Sequence, residues 1–217
     1  MAIKQYDITD STTSIESLKT IFETVATAYF DSLVLSEDKN TLDCYCGTHL
    51  LLSFNFKNNK VLTVTVYGNG VSKSDTQQRT DYLAYVYKVI TTENGIALAV
   101  YSNGAKYHSS IFISKTNSGE TGVIVLDKLL TNPSAQTNKT LCAVTKNSID
   151  VSAVYDFVNG TKEQPTTTIF PIAVSGHADY FNNVFCVPTS PYVGADSILT
   201  LDGVDYYYNG YMALKDE

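Results

Sequence analysis

The chain has no tryptophan, a single arginine (Arg79) and few charged residues of either sign, 17% in all. One arginine cannot supply the bidentate forks that grip phosphate oxygens, and a formal net charge of −7 offers no positive stripe to a polyanion. Nucleic acid and anionic membrane surfaces are therefore disfavoured as partners. No apolar run approaches the roughly 20 residues of a membrane-crossing helix; the longest covers residues 96–101. The opening Met1-Ala2-Ile3-Lys4-Gln5-Tyr6-Asp7 has neither the charged n-region nor the apolar h-region of a secretory leader. The expectation is a protein made in a cytoplasm, without membrane insertion. Its four cysteines then imply thiols rather than a disulfide framework, and the Asn-x-Thr patterns at Asn138 and Asn159 are chance matches to a glycosylation acceptor.

Thr, Ser and Asn fill the place of the missing charge, beside sixteen tyrosines. Thr and Tyr suit half-buried pleated surfaces and Asn suits turns, a mixture that favours strands joined by hairpins. One segment departs from this. Ile15, Leu18, Phe22, Val25, Tyr29 and Leu33 recur at steps of three and four, with Ile21 and Ala26 widening the stripe. Thr13 and Glu16 form a capping box at its start. The spacing predicts an amphipathic helix over residues 14–34 that lies on a sheet or on a partner.

Beyond it the period falls to two. Leu50, Leu52, Phe54 and Phe56, then Leu62, Val64 and Val66, flank Lys57-Asn58-Asn59-Lys60 as a hairpin. Further hairpins are expected at 82–92 with 96–102, at 107–114 with 122–126, and at 197–201 with 204–208 around Asp202-Gly203. Shorter strands are expected at 141–145, 149–155, 168–174 and 183–187. All five prolines lie beyond Thr131. The expectation is one domain over 1–217, or two lobes of 1–130 and 131–217 with a seam near 131–138. The fold class is mainly β (α+β): an antiparallel, hairpin-rich sheet or sandwich with one N-terminal amphipathic helix packed on it.

Signs of chemistry are sparse. Cys44-Tyr45-Cys46 with His49 resembles the start of a zinc site, but no second ligand pair follows, so the cysteines read as small core hydrophobes. Ser175-Gly176-His177-Ala178-Asp179 holds triad residue types as close neighbours in the chain, which rarely meet in triad geometry, and no Gly-x-Ser-x-Gly elbow is present. The acidic pairs Glu37-Asp38 and Asp202 with Asp205 stand in turn contexts, and glycoside hydrolysis needs two carboxylates across a cleft. Gly68-Asn69-Gly70 lacks the lysine and helix of a phosphate loop. The expectation is no catalytic residue, no metal and no cofactor. Tyr206-Tyr207-Tyr208 and Tyr211 are the most suggestive group. Alternate rings straddling core and surface is one reading; Tyr206, Tyr208 and Tyr211 as an interface or a glycan-stacking surface is the other.

The opening Met1-Ala2-Ile3-Lys4-Gln5-Tyr6, the segments Asn40-Thr41-Leu42-Asp43-Cys44-Tyr45-Cys46-Gly47 and Ile111-Phe112-Ile113-Ser114-Lys115-Thr116-Asn117, and the ending from Leu201 to Glu217 carry a resemblance. Together they resemble structural proteins of tailed phages and prophages of Firmicutes-type gut bacteria. The resemblance implies a non-enzymatic virion component of tail, baseplate or neck, present as a homo-oligomer and contacting other virion proteins. A host-surface glycan-binding module of a phage tail is the alternative. No site residue is carried over from the resemblance.

Overall fold

The computed structural model describes residues 3–9, 14–57, 61–78, 85–102, 108–129, 140–153, 170–174, 179–186, 197–208 and 212–216. They form one helix and three antiparallel sheets, with strands numbered along the chain. The central sheet joins β1 (Lys4–Thr9), β7 (Tyr85–Thr91), β8 (Gly95–Ser102), β9 (His108–Lys115), β10 (Thr121–Leu129), β11 (Thr140–Thr145) and β12 (Ser148–Ala153), side by side in that order. A second sheet is a plain meander of β2 (Ser32–Leu35), β3 (Thr41–Cys46), β4 (His49–Lys57), β5 (Val61–Gly68) and β6 (Val71–Gln78). The third is built from β13 (Phe170–Val174), β14 (Asp179–Cys186), β15 (Ser197–Leu201), β16 (Val204–Tyr208) and β17 (Met212–Lys215), in the order β13-β14-β17-β16-β15. The helix, α1, spans Ser14–Val25.

The central sheet is apolar on both faces, and side-chain parity divides its residues between two cores. Val89, Ile96, Leu98, Ile111, Ile113, Val123 and Val144 point one way, against Leu42, Leu52, Phe54, Val64 and Val66 of the second sheet. Ile90, Ala97, Phe112, Ile124 and Ala143 point the other way, against Phe181, Val184, Tyr207, Met212 and Leu214 of the third. Hence the central strands read as near-continuous apolar runs, while strands covered on one side alternate. The result is a mainly β, three-layer stack. The helix adds Leu18 and Phe22 to the first core, Ala26 joins them just past its end, and the Phe22 and Phe54 rings stack with centroids 5.6 Å apart.

One sequence expectation changes. The helix stops at Val25; residues 26–29 form a turn, and Ser32–Leu35 is a strand. Leu33 and Leu35 lie two apart, so a strand buries both as well as a helix would bury Leu33. Pairing with β3, Leu33 opposite Cys44, decides the choice. Thr13 of the capping box lies outside the described residues. The change in composition near residue 131 is no break in the central sheet: β10 and β11 pair across it, Val123 opposite Val144 and Leu126 opposite Leu141. The four hairpins of the sequence reading are present, β4–β5, β7–β8, β9–β10 and β15–β16, although residues 58–60 of the first turn are outside the described set. The shorter strands correspond to β11–β14, with β14 starting at Asp179 rather than 183. Strands β1, β6 and β17 were not foreseen from the sequence. β6 is nearly all polar, and its signal was the Asn69-Gly70 turn, with φ of 49° and 73°, the positive-φ pair that a two-residue hairpin turn demands.

Candidate functional site

Among the described residues, polar side chains converge where the loop after α1 meets the β9–β10 and β11–β12 turns. They line a cleft of about 210 Å³ whose ionisable groups are Tyr29, Asp31, Cys46, Lys115, Glu120 and Lys146. At its base the carbonyl of Tyr29 accepts a hydrogen bond from Thr121 Oγ1 at 2.5 Å and one from Cys46 Sγ at 3.6 Å. Lys115 Nζ donates to Thr121 Oγ1 at 2.8 Å and lies 5.8 Å from the centre of the Tyr29 ring. On the far wall Glu120 accepts from Asn147 Nδ2 at 2.6 Å, with Lys146 Nζ 3.8 Å away. Asp31 accepts from the backbone N–H of Gly47. The Tyr29 carbonyl ties the loop after α1 to β10 of the central sheet and to β3 of the second, whereas the Glu120 bonds stay within the central sheet and the Asp31 bond joins the loop before β2 to the β3–β4 turn.

Burial dominates the electrostatics of two of these groups. Burial pushes the Tyr29 hydroxyl up to about 12. Burial also raises Cys46, against a hydrogen bond from Thr121 that lowers it; Asp31 adds to the rise and the two lysines oppose it. A thiol held protonated is a poor nucleophile, and a phenol titrating that high is a poor general acid or base at neutral pH.

The residues singled out in the sequence do not meet here, Cys46 excepted. Cys44 is fully buried in the first core, its thiol driven far above the ordinary range by desolvation, with Asp43 and Cys46 adding to the shift. His49 stands opposite Cys46 in the ladder, with its Nε2 3.2 Å from the carbonyl of Tyr67. Among the described residues no group of three or more His, Cys, Asp or Glu is placed to hold a metal ion. Residues 175–178 lie outside the described set; Asp179 opens β14 and accepts from Ser118 Oγ at 3.0 Å. Asp38 accepts from Ser36 Oγ and from the backbone and side chain of Asn40, contacts that lower its pKa. Asp205 accepts from Thr200 Oγ1 at 2.6 Å. Asp38 and Asp205 thus each serve their own hairpin.

Of the tyrosines, Tyr206 and Tyr208 are 7% and 1% exposed, so neither presents a free ring face. Both belong to a small cluster with Leu199 and Ala213, where Tyr206 meets Phe185 edge-on at 5.9 Å. Tyr207 points the other way, to Phe112 at 6.5 Å. The second half of β16, Tyr206 to Tyr208, is buried on both faces, and its three consecutive rings fill two cores. Tyr211 lies outside the described residues.

Sequence reasoning missed one surface feature. Val34, Val71, Tyr180 and Ile198 are the large apolar side chains left exposed among the described residues, and three of them stand on strands that end a sheet: β2, β6 and β15. Knowing which strands are edges requires the topology, so no local signal could have found them. Comparison of the chain with protein-family models, with curated proteins and with solved structures finds no match.

Proposed function

We propose that the chain is a non-enzymatic structural protein of a tailed-phage particle, a component of tail, baseplate or neck that assembles as a homo-oligomer with other virion proteins. The observation that carries this reading is the placement of exposed apolar side chains on edge strands that bear neither charge nor proline, with Val34 of β2 49% and Ile198 of β15 53% exposed. An edge strand presents unpaired N–H and C=O groups, and an apolar side chain beside them suits pairing with another chain. The family resemblance supplies the kind of assembly, and the hydrogen-bonded bracing of the polar cleft supports a scaffold over a reaction site. The glycan reading draws no support from Tyr206 and Tyr208, because a ring must present its face to stack on a sugar.

Mass spectrometry of purified particles tests the proposal. The protein is expected among the virion components at a copy number set by particle symmetry. Its absence from intact particles would sink the reading.

A further inference from the structure

The sequence contains five Asn-Gly pairs, of which the described residues include two, Asn69-Gly70 and Asn94-Gly95. We propose that Asn69-Gly70, in the β5–β6 turn, is a site of spontaneous deamidation, and that the fold withholds Asn94-Gly95 from the same reaction. In this chemistry the backbone nitrogen of the glycine attacks Cγ of the asparagine. The new N–Cγ bond closes a five-membered succinimide while the Cγ–Nδ2 bond breaks, and the side-chain nitrogen leaves as ammonia, taking up the proton lost by the glycine nitrogen. Water then adds to either ring carbonyl and opens the ring to aspartate or isoaspartate. Nothing is oxidised or reduced, and water is the sole co-reactant.

The two pairs differ in what holds them. Asn69 and Gly70 are both exposed, and a Cβ built at Gly70 would meet nothing within 4 Å. The contact that ties this turn down is the backbone N–H of Asn69, which donates to the Lys146 carbonyl at 3.1 Å. It leaves the side-chain amide and the Gly70 nitrogen able to approach one another when the turn opens, and a hairpin tip is among the segments that open at least cost. Asn94 is fastened at three points. Its Nδ2 donates to the Asp216 carbonyl at 3.1 Å, its N–H donates to Thr92 Oγ1 at 3.1 Å, and its carbonyl accepts from Ser114 Oγ at 2.7 Å. Gly95 is buried, and a Cβ there would lie 2.6 Å from the Ile113 carbonyl oxygen, so the backbone has no room to swing. Conversion at Asn69 places a new carboxylate beside the β11–β12 turn. The isoaspartate product also adds a carbon to the main chain, which shifts the Gly68–Val71 register and loosens the edge strand β6.

The test is peptide mapping by mass spectrometry of the full-length protein during incubation at mildly alkaline pH, with the same incubation in denaturant. In the folded protein Asn69 is expected to convert on the order of tenfold faster than Asn94, whose amide is freed only by breaking further hydrogen bonds. In denaturant the two rates should converge. Asn69→Asp keeps a residue that tolerates positive φ and should abolish the amide-to-acid mass gain in that peptide. Equal rates in the folded state overturn the proposal. So does an unchanged rate ratio in denaturant, which would assign the difference to local sequence instead of the fold.

Discussion

Gly68 ends β5 where the second sheet touches the β11–β12 hairpin. A Cβ there would lie 2.3 Å from the Ser148 carbonyl oxygen and 2.8 Å from that of Thr145. Those neighbours are backbone, so the layers must move apart to admit a methyl group. Gly68→Ala is expected to cost about 1–3 kcal/mol, as overpacking of a close contact does, read from denaturant unfolding. Tyr29 gives a pH test. Its hydroxyl titrates near 12 because burial penalises the charged form, whereas in the unfolded chain it returns to 10.0. The unfolded state then holds fewer protons over that interval, so this contribution is intact below pH 10 and disappears as pH rises through about 12. Tyr29→Phe should flatten that part of the stability–pH curve; an unaltered slope would show that the hydroxyl is not desolvated. Neither effect was legible in the residue type. A glycine just past a predicted strand and a tyrosine in a predicted helix give no sign of the neighbours that constrain them.

Among the elements, α1 depends on burial more than on its own length, since an isolated helix of this size is marginal in water. Phe22 is fully buried against Phe54, whereas Glu23 on the opposite side is an exposed partner of Lys19. Phe22→Ala is expected to cost about 3–5 kcal/mol, and Glu23→Ala less than about 1 kcal/mol, as an exposed ion pair should. Similar losses from both substitutions in chemical denaturation would mean that the helix does not dock as described. The stripe that revealed α1 also exaggerated it, because Leu33 satisfies a helical step and a strand's alternation equally well. Hairpins were more legible, since period-two alternation on both sides of an Asn- or Gly-bearing turn has few other solutions. β6 and β17 escaped notice for opposite reasons, one too polar and the other a short apolar run without alternation.

For the molecule as a whole, the edges carry the functional question. β1, β6 and β12 bear charged residues and β13 bears Pro171, devices that discourage edge-to-edge pairing; β2 and β15 have neither. Val34→Lys combined with Ile198→Lys places charge on both unguarded edges. If these edges mediate assembly, sedimentation equilibrium should show self-association weakened by on the order of tenfold or more, with the stability of the single chain changed by less than about 0.5 kcal/mol. Association at wild-type strength in this double variant would remove both edges as the interface.

The amino-acid order by itself determined a hairpin-rich β protein with one amphipathic helix, because strand alternation and turn chemistry are local and leave their period in the chain. Tertiary structure alone decided that the central strands bury both faces, that Tyr206 and Tyr208 turn inward, that Asp179 and Ser118 meet, and that β2 and β15 stand at unguarded edges. Each of these depends on which strands become neighbours. Partner choice is settled by long-range packing, where residues far apart in sequence compete for the same surface, and no local pattern records the outcome.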